Sequence, residues 1–399
     1  MKVTVKSGFV RHCRRTLILG TALFIFNILP ASAAEITLPR MEMGSRGWVD
    51  NGEFVLSSVI SADLALTGGY KYAFLLGFYL EVPDAGNNFS GQTVFGFRIA
   101  KATARDIFGL PMELSYFIGS NDNFCNGDDF STRFGLSPFG TDFRGFLYFP
   151  EGIGGNPFYR YNGVHGVQGT GVSLSLTKWD NFVPMFYFYK DIVDIPLFPG
   201  LIPNPGAAYE EIGGNLFSGD LRLLFNHNWL RLETFWGMSL NTSKDASMRG
   251  GLMAHIAGNG VEFFVQGGIP GWMVGKKFSI DNLFFLMEPR LRLGYFGMYL
   301  TFFYHPQTYI HIITPDEKGK ANINLKFLFG KIDTGFTGGI ETGGELKIDG
   351  SEDFIFYISP LAYYISGGLR WDVKFRIKVP EYKTPKEMFD FFIGVRTAF

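Results

Sequence analysis

The run Leu369-Arg370-Trp371-Asp372-Val373-Lys374-Phe375-Arg376-Ile377-Lys378-Val379 decides the fold. Every odd position is apolar and every even position is charged. Successive side chains of a β-strand point to opposite faces, so this segment has one greasy side and one wet side. A helical face repeats every three to four residues and cannot sort these residues. The alternation recurs along the chain. Tyr70, Tyr72, Phe74, Leu76, Phe78, Leu80 and Val82 are apolar, with Lys71 and Glu81 in the alternate set. Leu230, Leu232, Trp236, Met238 and Leu240 interleave with Arg231, Glu233 and Ser239. From Leu283 to Tyr295 each odd position is apolar or Pro289, and Glu288, Arg290 and Arg292 occupy even ones.

Segment length separates two all-β solutions. These segments run ten to fourteen residues, whereas strands of a soluble sandwich average about five or six. A membrane-spanning strand needs about 9–11 residues with tilt. Composition points the same way. Aromatic residues make up 17% of the 399-residue chain and charged residues 18%, against about 25% charged in soluble domains. That balance excludes intrinsic disorder. With 36 Lys+Arg against 37 Asp+Glu there is no electrostatic surplus for nucleic acid. The expected fold is therefore all-β, a transmembrane antiparallel up-and-down barrel occupying residues 35–399.

Residues 1–34 read as a secretory signal peptide. Lys2, Lys6, Arg11, Arg14 and Arg15 form a positive start, Leu17 to Leu29 is the apolar stretch, and Ala31-Ser32-Ala33 offers a cleavage site. Of the two cysteines, Cys13 belongs to this leader, so no disulfide is expected within the mature chain. Cys125 lies in an Asn/Asp/Gly-rich stretch with nothing beside it to activate a thiol, and reads as a bystander.

The chain ends with Phe389, Phe391, Ile393, Val395, Thr397 and Phe399 in alternation, Phe being the final residue. This resembles the closing strand of bacterial outer-membrane β-barrel proteins; Thr397 departs mildly from their pattern. The resemblance covers about the last ten residues and the general strand rhythm. It implies an outer-membrane address, contact with outer-membrane lipid, and recognition of the terminal aromatic by the barrel-assembly machinery.

Turn signals give a strand count. Tight connections are expected at 67–70, 178–181, 226–228, 257–260, 295–297, 331–334 and 366–368, with two less sharp ones near 102–110 and 138–142. Nine turns at one end, with both termini there too, predict 20 strands. The range allowed is 16 to 20, always even. Such a barrel is wider than the eight strands whose side chains fill it, so it holds water or an infolded segment. The expected constricting loops are 150–168 and the stretch with Pro196, Pro199, Pro203 and Pro205.

Strand parity assigns the wall. Charges on the lipid side cost roughly 2–4 kcal/mol at mid-bilayer. The lumen therefore receives Arg98, Glu113, Arg222, Arg231, Glu233, Glu262, Glu288, Arg290, Arg292, Lys326, Arg370, Asp372 and Lys374, with Lys71, Glu81, Arg376, Lys378 and Arg396. Twelve of these eighteen are basic, which predicts a weak anion preference unless the charges pair within the wall. Parity also sends Phe235, Phe264, Phe284, Tyr299, Phe303 and Tyr357 inward, either as a stacking track for a solute or packed under an inserted loop.

No zinc-binding His-Glu-x-x-His, paired-Cys site, nucleophile elbow or phosphate-cradling loop is present in the sequence. His305 and His311 are the nearest thing to a histidine pair, and they read as surface groups. No enzyme, cofactor or metal is expected. The function predicted is a porin-like channel for passive diffusion of small hydrophilic solutes. The alternatives are a substrate-specific barrel transporter, for a sugar or a hydrophobic solute, and a non-conducting surface barrel acting as an adhesin or structural element.

Overall fold

The computed structural model describes residues 34–82, 93–144, 163–191, 217–240, 246–278, 282–305, 320–347, 354–379 and 388–397. The leader, Phe399 and the stretch 192–216 lie outside them, and so does most of 150–168.

Among the described residues, eighteen strands follow one another along the chain. They are β1 (Glu35–Asp50), β2 (Glu53–Gly68), β3 (Tyr72–Val82), β4 (Val94–Arg105), β5 (Met112–Phe124) and β6 (His165–Leu176). Next come β7 (Phe182–Asp191), β8 (Phe217–His227), β9 (Leu230–Leu240), β10 (Ala246–Gly258), β11 (Val261–Met273) and β12 (Phe284–Leu293). The last six are β13 (Phe296–His305), β14 (Lys320–Gly330), β15 (Gly335–Lys347), β16 (Phe354–Ser366), β17 (Leu369–Lys378) and β18 (Phe389–Thr397). Each pairs antiparallel with the next. β18 then pairs with β1, from Glu42↔Arg396 to Trp48↔Asp390, and closes the ring. Closure removes the unpaired edges an open sheet would expose.

One end of the ring carries the tight connections, apart from the two-residue hairpin Asn51–Gly52 between β1 and β2 at the other end. Asn259–Gly260 has φ of 48° and 80°, and Gly367–Gly368 has 60° and 76°. Both are two-residue hairpins with left-handed residues at both central positions, the geometry that matches strand twist. The connections after β2, β4, β6, β8, β10, β12, β14 and β16 all lie at this end, with the start of β1 and the end of β18. Eight such turns give eighteen strands, not twenty.

The ninth expected turn, near 138–142, does not exist. Asp128–Phe134 is instead a helix (α1) between Gly127 (φ 86°) and Gly135 (φ 66°), with Asp128 and Asp129 in its first turn. Phe130 and Phe134 share a helical face four residues apart, and Phe139 packs beside them. Apolar residues that parity would turn to lipid are buried inside the ring.

The outer surface is apolar. Phe186, Phe188, Trp236, Leu252, Ile340, Trp371, Phe375 and Ile393 are exposed on it. Ser45 and Ser58, polar residues on this face, satisfy each other at 2.6 Å between β1 and β2. Tyr70, Trp179, Trp229 and Tyr295 stand exposed in the short turns. Amphipathic aromatic rings prefer this level at a membrane boundary.

Candidate functional site

The connection leaving β5 turns into the ring, and residues 125–144 lie against the inner faces of β8 to β14. Its attachment starts at Cys125, a fully buried residue in left-handed conformation at φ 61°. The Cys125 amide donates to Glu233 Oε1 at 2.6 Å, and its carbonyl accepts from Gln266 Nε2. Burial and the neighbouring Glu233 push the Cys125 thiol well above its ordinary pKa, so it is a poor nucleophile. Arg222, also fully buried, donates to Glu233 at 2.7 Å and pairs with Asp129 of α1. Arg133 of α1 meets Glu113 on β5 at 2.5 Å, and Glu113 also takes Arg105 at 2.9 Å.

Beyond α1 the segment is tied to one carboxylate. Glu288 on β12 accepts from Thr141 Oγ1 at 2.7 Å, from the Asp142 amide at 2.8 Å and from Thr301 Oγ1 at 2.8 Å. Arg290 braces Glu288 at 2.7 Å and donates to the Gly140 carbonyl. Lys326 on β14 reaches Asp142 at 2.6 Å and Glu341 on β15 at 2.9 Å. Burial raises the Asp142 pKa, but Lys326, Arg370 and Arg290 outweigh it and hold the carboxyl well below its usual range. Phe139 stacks on His255 with centroids 4.7 Å apart, and Arg231 lies over the same ring at 5.9 Å.

The inward aromatics divide accordingly. Phe235, Phe264, Phe284 and Phe303 join Phe124, Phe130 and Phe143 in one buried cluster beneath the segment. They form its bed, not a track open to solute. Tyr299 packs with Leu328 and Tyr363, and the Tyr357 hydroxyl accepts from Asn324 at 3.3 Å.

Most of the remaining expected wall charges are paired, whereas Arg231 reaches only His255, at 3.4 Å. Arg98 meets Asp63 at 3.3 Å. Glu262 takes Arg290 and Arg292, each at 3.2 Å. Arg370 reaches Asp372 at 2.8 Å and covers the Tyr363 ring at 3.8 Å. Lys374 meets Glu341 at 2.9 Å, and Arg396 meets Asp372 at 3.5 Å. Lys71 is a correction: it sits exposed in the turn before β3, not on the wall. The side chain of His305, like His311, lies outside the described residues.

Parity missed several partners. Asp63, Asp220, Glu341 and Asp390 line the wall as buried acids, and Arg46 and Arg249 as bases. Asp390 was within reach of the same reasoning, since it falls between Phe389 and Phe391. Glu341 was not, because β15 reads Gly-Phe-Thr-Gly-Gly-Ile-Glu-Thr-Gly-Gly and carries no clean alternation.

The segment leaves β15 to β18 and β1 to β4 facing the lumen across from it. Asp128 at the tip of α1 is close enough to Arg40 on β1 to feel its charge. The other acids of the segment, Asp129 and Asp142, pair with Arg222 and Lys326 on the wall beneath it.

The sequence matches no protein-family model and no curated protein. Among solved structures, the chain is similar to a mutant porin of Rhodopseudomonas blastica, at 10% identity and a TM-score of 0.47, over 92% of this chain and 100% of that one. It is also similar to Salmonella typhi OmpF in complex with daunomycin, at 10% identity and a TM-score of 0.45, over 92% of this chain and 98% of that one.

Proposed function

We propose that the chain is an outer-membrane channel for passive diffusion of small hydrophilic solutes, with a weak preference for anions. The apolar exterior supports the address, since a contiguous apolar surface of this extent needs a non-aqueous partner. The alternating charges on the other face support a water-lined interior.

One observation carries the anion preference. On the wall opposite the segment, the cations reach into the lumen while their acid partners lie behind them. The Arg46 side chain is 26% exposed and its partner Asp390 1%; Arg396 is 21% exposed and Asp372 6%. A solute passing this wall meets guanidinium groups first, and fixed charges set the barrier for ions. The segment places Asp128, Asp129 and Asp142 on the other side, so a permeating ion crosses a transverse field. The aromatic bed beneath the segment leaves the sugar-track alternative without support from those rings.

Conductance of the purified protein in a planar bilayer tests the proposal. Steady steps, with a reversal potential in a potassium chloride gradient displaced toward chloride, are expected. Silence under all salts contradicts the channel, and displacement toward potassium contradicts the anion preference.

A further inference from the structure

The connection between β4 and β5 is built unlike its neighbours. It spans residues 106–111, Asp-Ile-Phe-Gly-Leu-Pro, and is the longest of those at the short-turn end. Phe108 in it is 93% exposed, more than any other large apolar side chain among the described residues, and Leu110 beside it is exposed too. A phenyl ring left in water forgoes the gain that burial gives an apolar side chain.

The turn is also held in place. The Asp106 amide donates to the Met112 carbonyl, and the Leu110 amide to the Ile107 carbonyl, each at 3.0 Å. At its base Arg105 donates to the Tyr70 carbonyl at 2.8 Å and to Glu113 at 2.9 Å, and Glu113 takes Arg133 of α1 from the lumen. Asp106 (φ 52°) and Phe108 (φ 56°) are both left-handed, a conformation that glycine takes freely and that costs a residue with a Cβ. The fold therefore accepts backbone strain to hold Phe108 clear of the protein, and its exposure leaves almost no contact within the chain to offset that strain.

What flanks the turn gives its direction. On the lumen side its base carries the Arg105–Glu113 ion pair, which offers an apolar ring nothing. On the outer side Tyr72 of β3 and Leu114 and Tyr116 of β5 stand exposed. Ala102 and Ala104 of β4 lie between them, through the pairings Tyr72↔Ala104, Ala104↔Leu114 and Ala102↔Tyr116. This apolar strip runs from the turn into the exterior that meets hydrocarbon. Tyr70 and Lys71, exposed in the adjoining β2–β3 turn, have the polar tips on apolar stems that suit the level of lipid headgroups. We infer that the turn 106–111 is a foot set in lipid, with Phe108 and Leu110 entering the leaflet at the short-turn end. Its occupant is phospholipid hydrocarbon just beneath the headgroups, because the patch is continuous with the surface that already faces that solvent. The inference rests on the membrane address and not on conduction.

Spin labels read the surroundings of the turn directly. In a Cys125→Ser background, Phe108→Cys, Val373→Cys on the exterior of β17 and Thr334→Cys in the β14–β15 turn each carry a nitroxide, in phospholipid vesicles. Oxygen concentrates in hydrocarbon, and a nickel chelate supplied on both sides of the bilayer stays in water. The label at Phe108→Cys should relax with oxygen as the one at Val373→Cys does, while Thr334→Cys responds to nickel. Nickel access at Phe108→Cys equal to that at Thr334→Cys overturns the inference. Protection from both reagents overturns it too, since protein and not lipid then covers the turn. Nickel access at Val373→Cys removes the lipid-facing exterior itself, and the inference with it, so the two failures are told apart. Phe108→Ser gives a readout without a label. It removes almost no packing within the chain, yet the unfolding equilibrium constant in vesicles should rise about tenfold or more. An unchanged constant overturns the inference. Retained heat-modifiable migration on gels shows that the variants are folded.

Discussion

Arg222 and Glu233 show what a charge demands inside this wall. Both side chains are fully buried and lie 2.7 Å apart, and Glu233 also holds the Cys125 amide. Removing one partner strands the other, a loss of about 3–5 kcal/mol. Glu233→Ala should therefore lower the unfolding free energy of the barrel in detergent by that scale, read as a lower urea midpoint. Arg222→Met with Glu233→Leu should recover much of it, because a well-packed apolar pair replaces the ionic one at little net cost. Equal midpoints for Glu233→Ala and wild type would remove the pair from the account. The wall bases differ in what they do. Arg370 faces the lumen beside the end of the segment, near enough to Asp142 to act on its carboxyl but not bonded to the backbone there, so Arg370→Glu should shift the reversal potential toward cations. Arg290 braces Glu288 and the Gly140 carbonyl, so Arg290→Glu should change the conductance as well. An unchanged reversal potential in Arg370→Glu takes that residue out of the permeation path. The bases were legible from sequence because Arg and Lys interrupt apolar alternation sharply. Their acid partners were less so: Glu341 sits in a glycine-rich strand, and Asp129 and Asp142 come from a segment with no strand parity.

At the scale of elements, the segment 125–144 is clamped to the inner wall of the ring. Glu288 alone accepts from Thr141, Asp142 and Thr301 and is braced by Arg290. Glu288→Ala leaves those donors without their shared acceptor, and single-channel recordings should show a larger or noisier conductance. An identical step size would mean that the segment does not set the lumen's width. The Asp142–Lys326 latch adds a pH dependence with a definite sign. The folded carboxyl has a depressed pKa. Its stabilisation is therefore complete above the ordinary carboxylate pKa of about 3.9 and is lost only as pH falls below that value. In Lys326→Met the loss should begin at higher pH, read as conductance noise during acid titration. Identical acid profiles for wild type and variant would rule out the latch. The expectation of a strand-joining turn near 138–142 failed here for a physical reason. Phe130 and Phe134 alternate with polar residues loosely enough to mimic a strand, yet glycines at 127 and 135 with left-handed φ bracket one short helix. Local alternation does not reveal whether an apolar face meets lipid or an aromatic bed within a lumen. The turns at Asn259–Gly260 and Gly367–Gly368 were the most legible, because both central positions take a left-handed backbone that these residues adopt readily.

For the molecule as a whole, the account rests on a ring whose outer side chains meet hydrocarbon and whose inner ones meet water. The β1–β18 ladder closes the ring, and the last strand's alternation places Ile393 outside and Phe392 inside. An outward charge then carries a cost that an inward one does not. Leu252→Arg, on the exposed face of β10, should destabilise the barrel in lipid by about 2–4 kcal/mol, measured by unfolding from vesicles. The measurement that tests the central claim most directly is a cysteine scan of β17 in lipid vesicles with a membrane-impermeant thiol reagent, in a Cys125→Ser background. Arg370→Cys, Asp372→Cys and Lys374→Cys should label, and Trp371→Cys, Val373→Cys and Phe375→Cys should stay unlabelled. Labelling of the odd positions as readily as the even ones would contradict it.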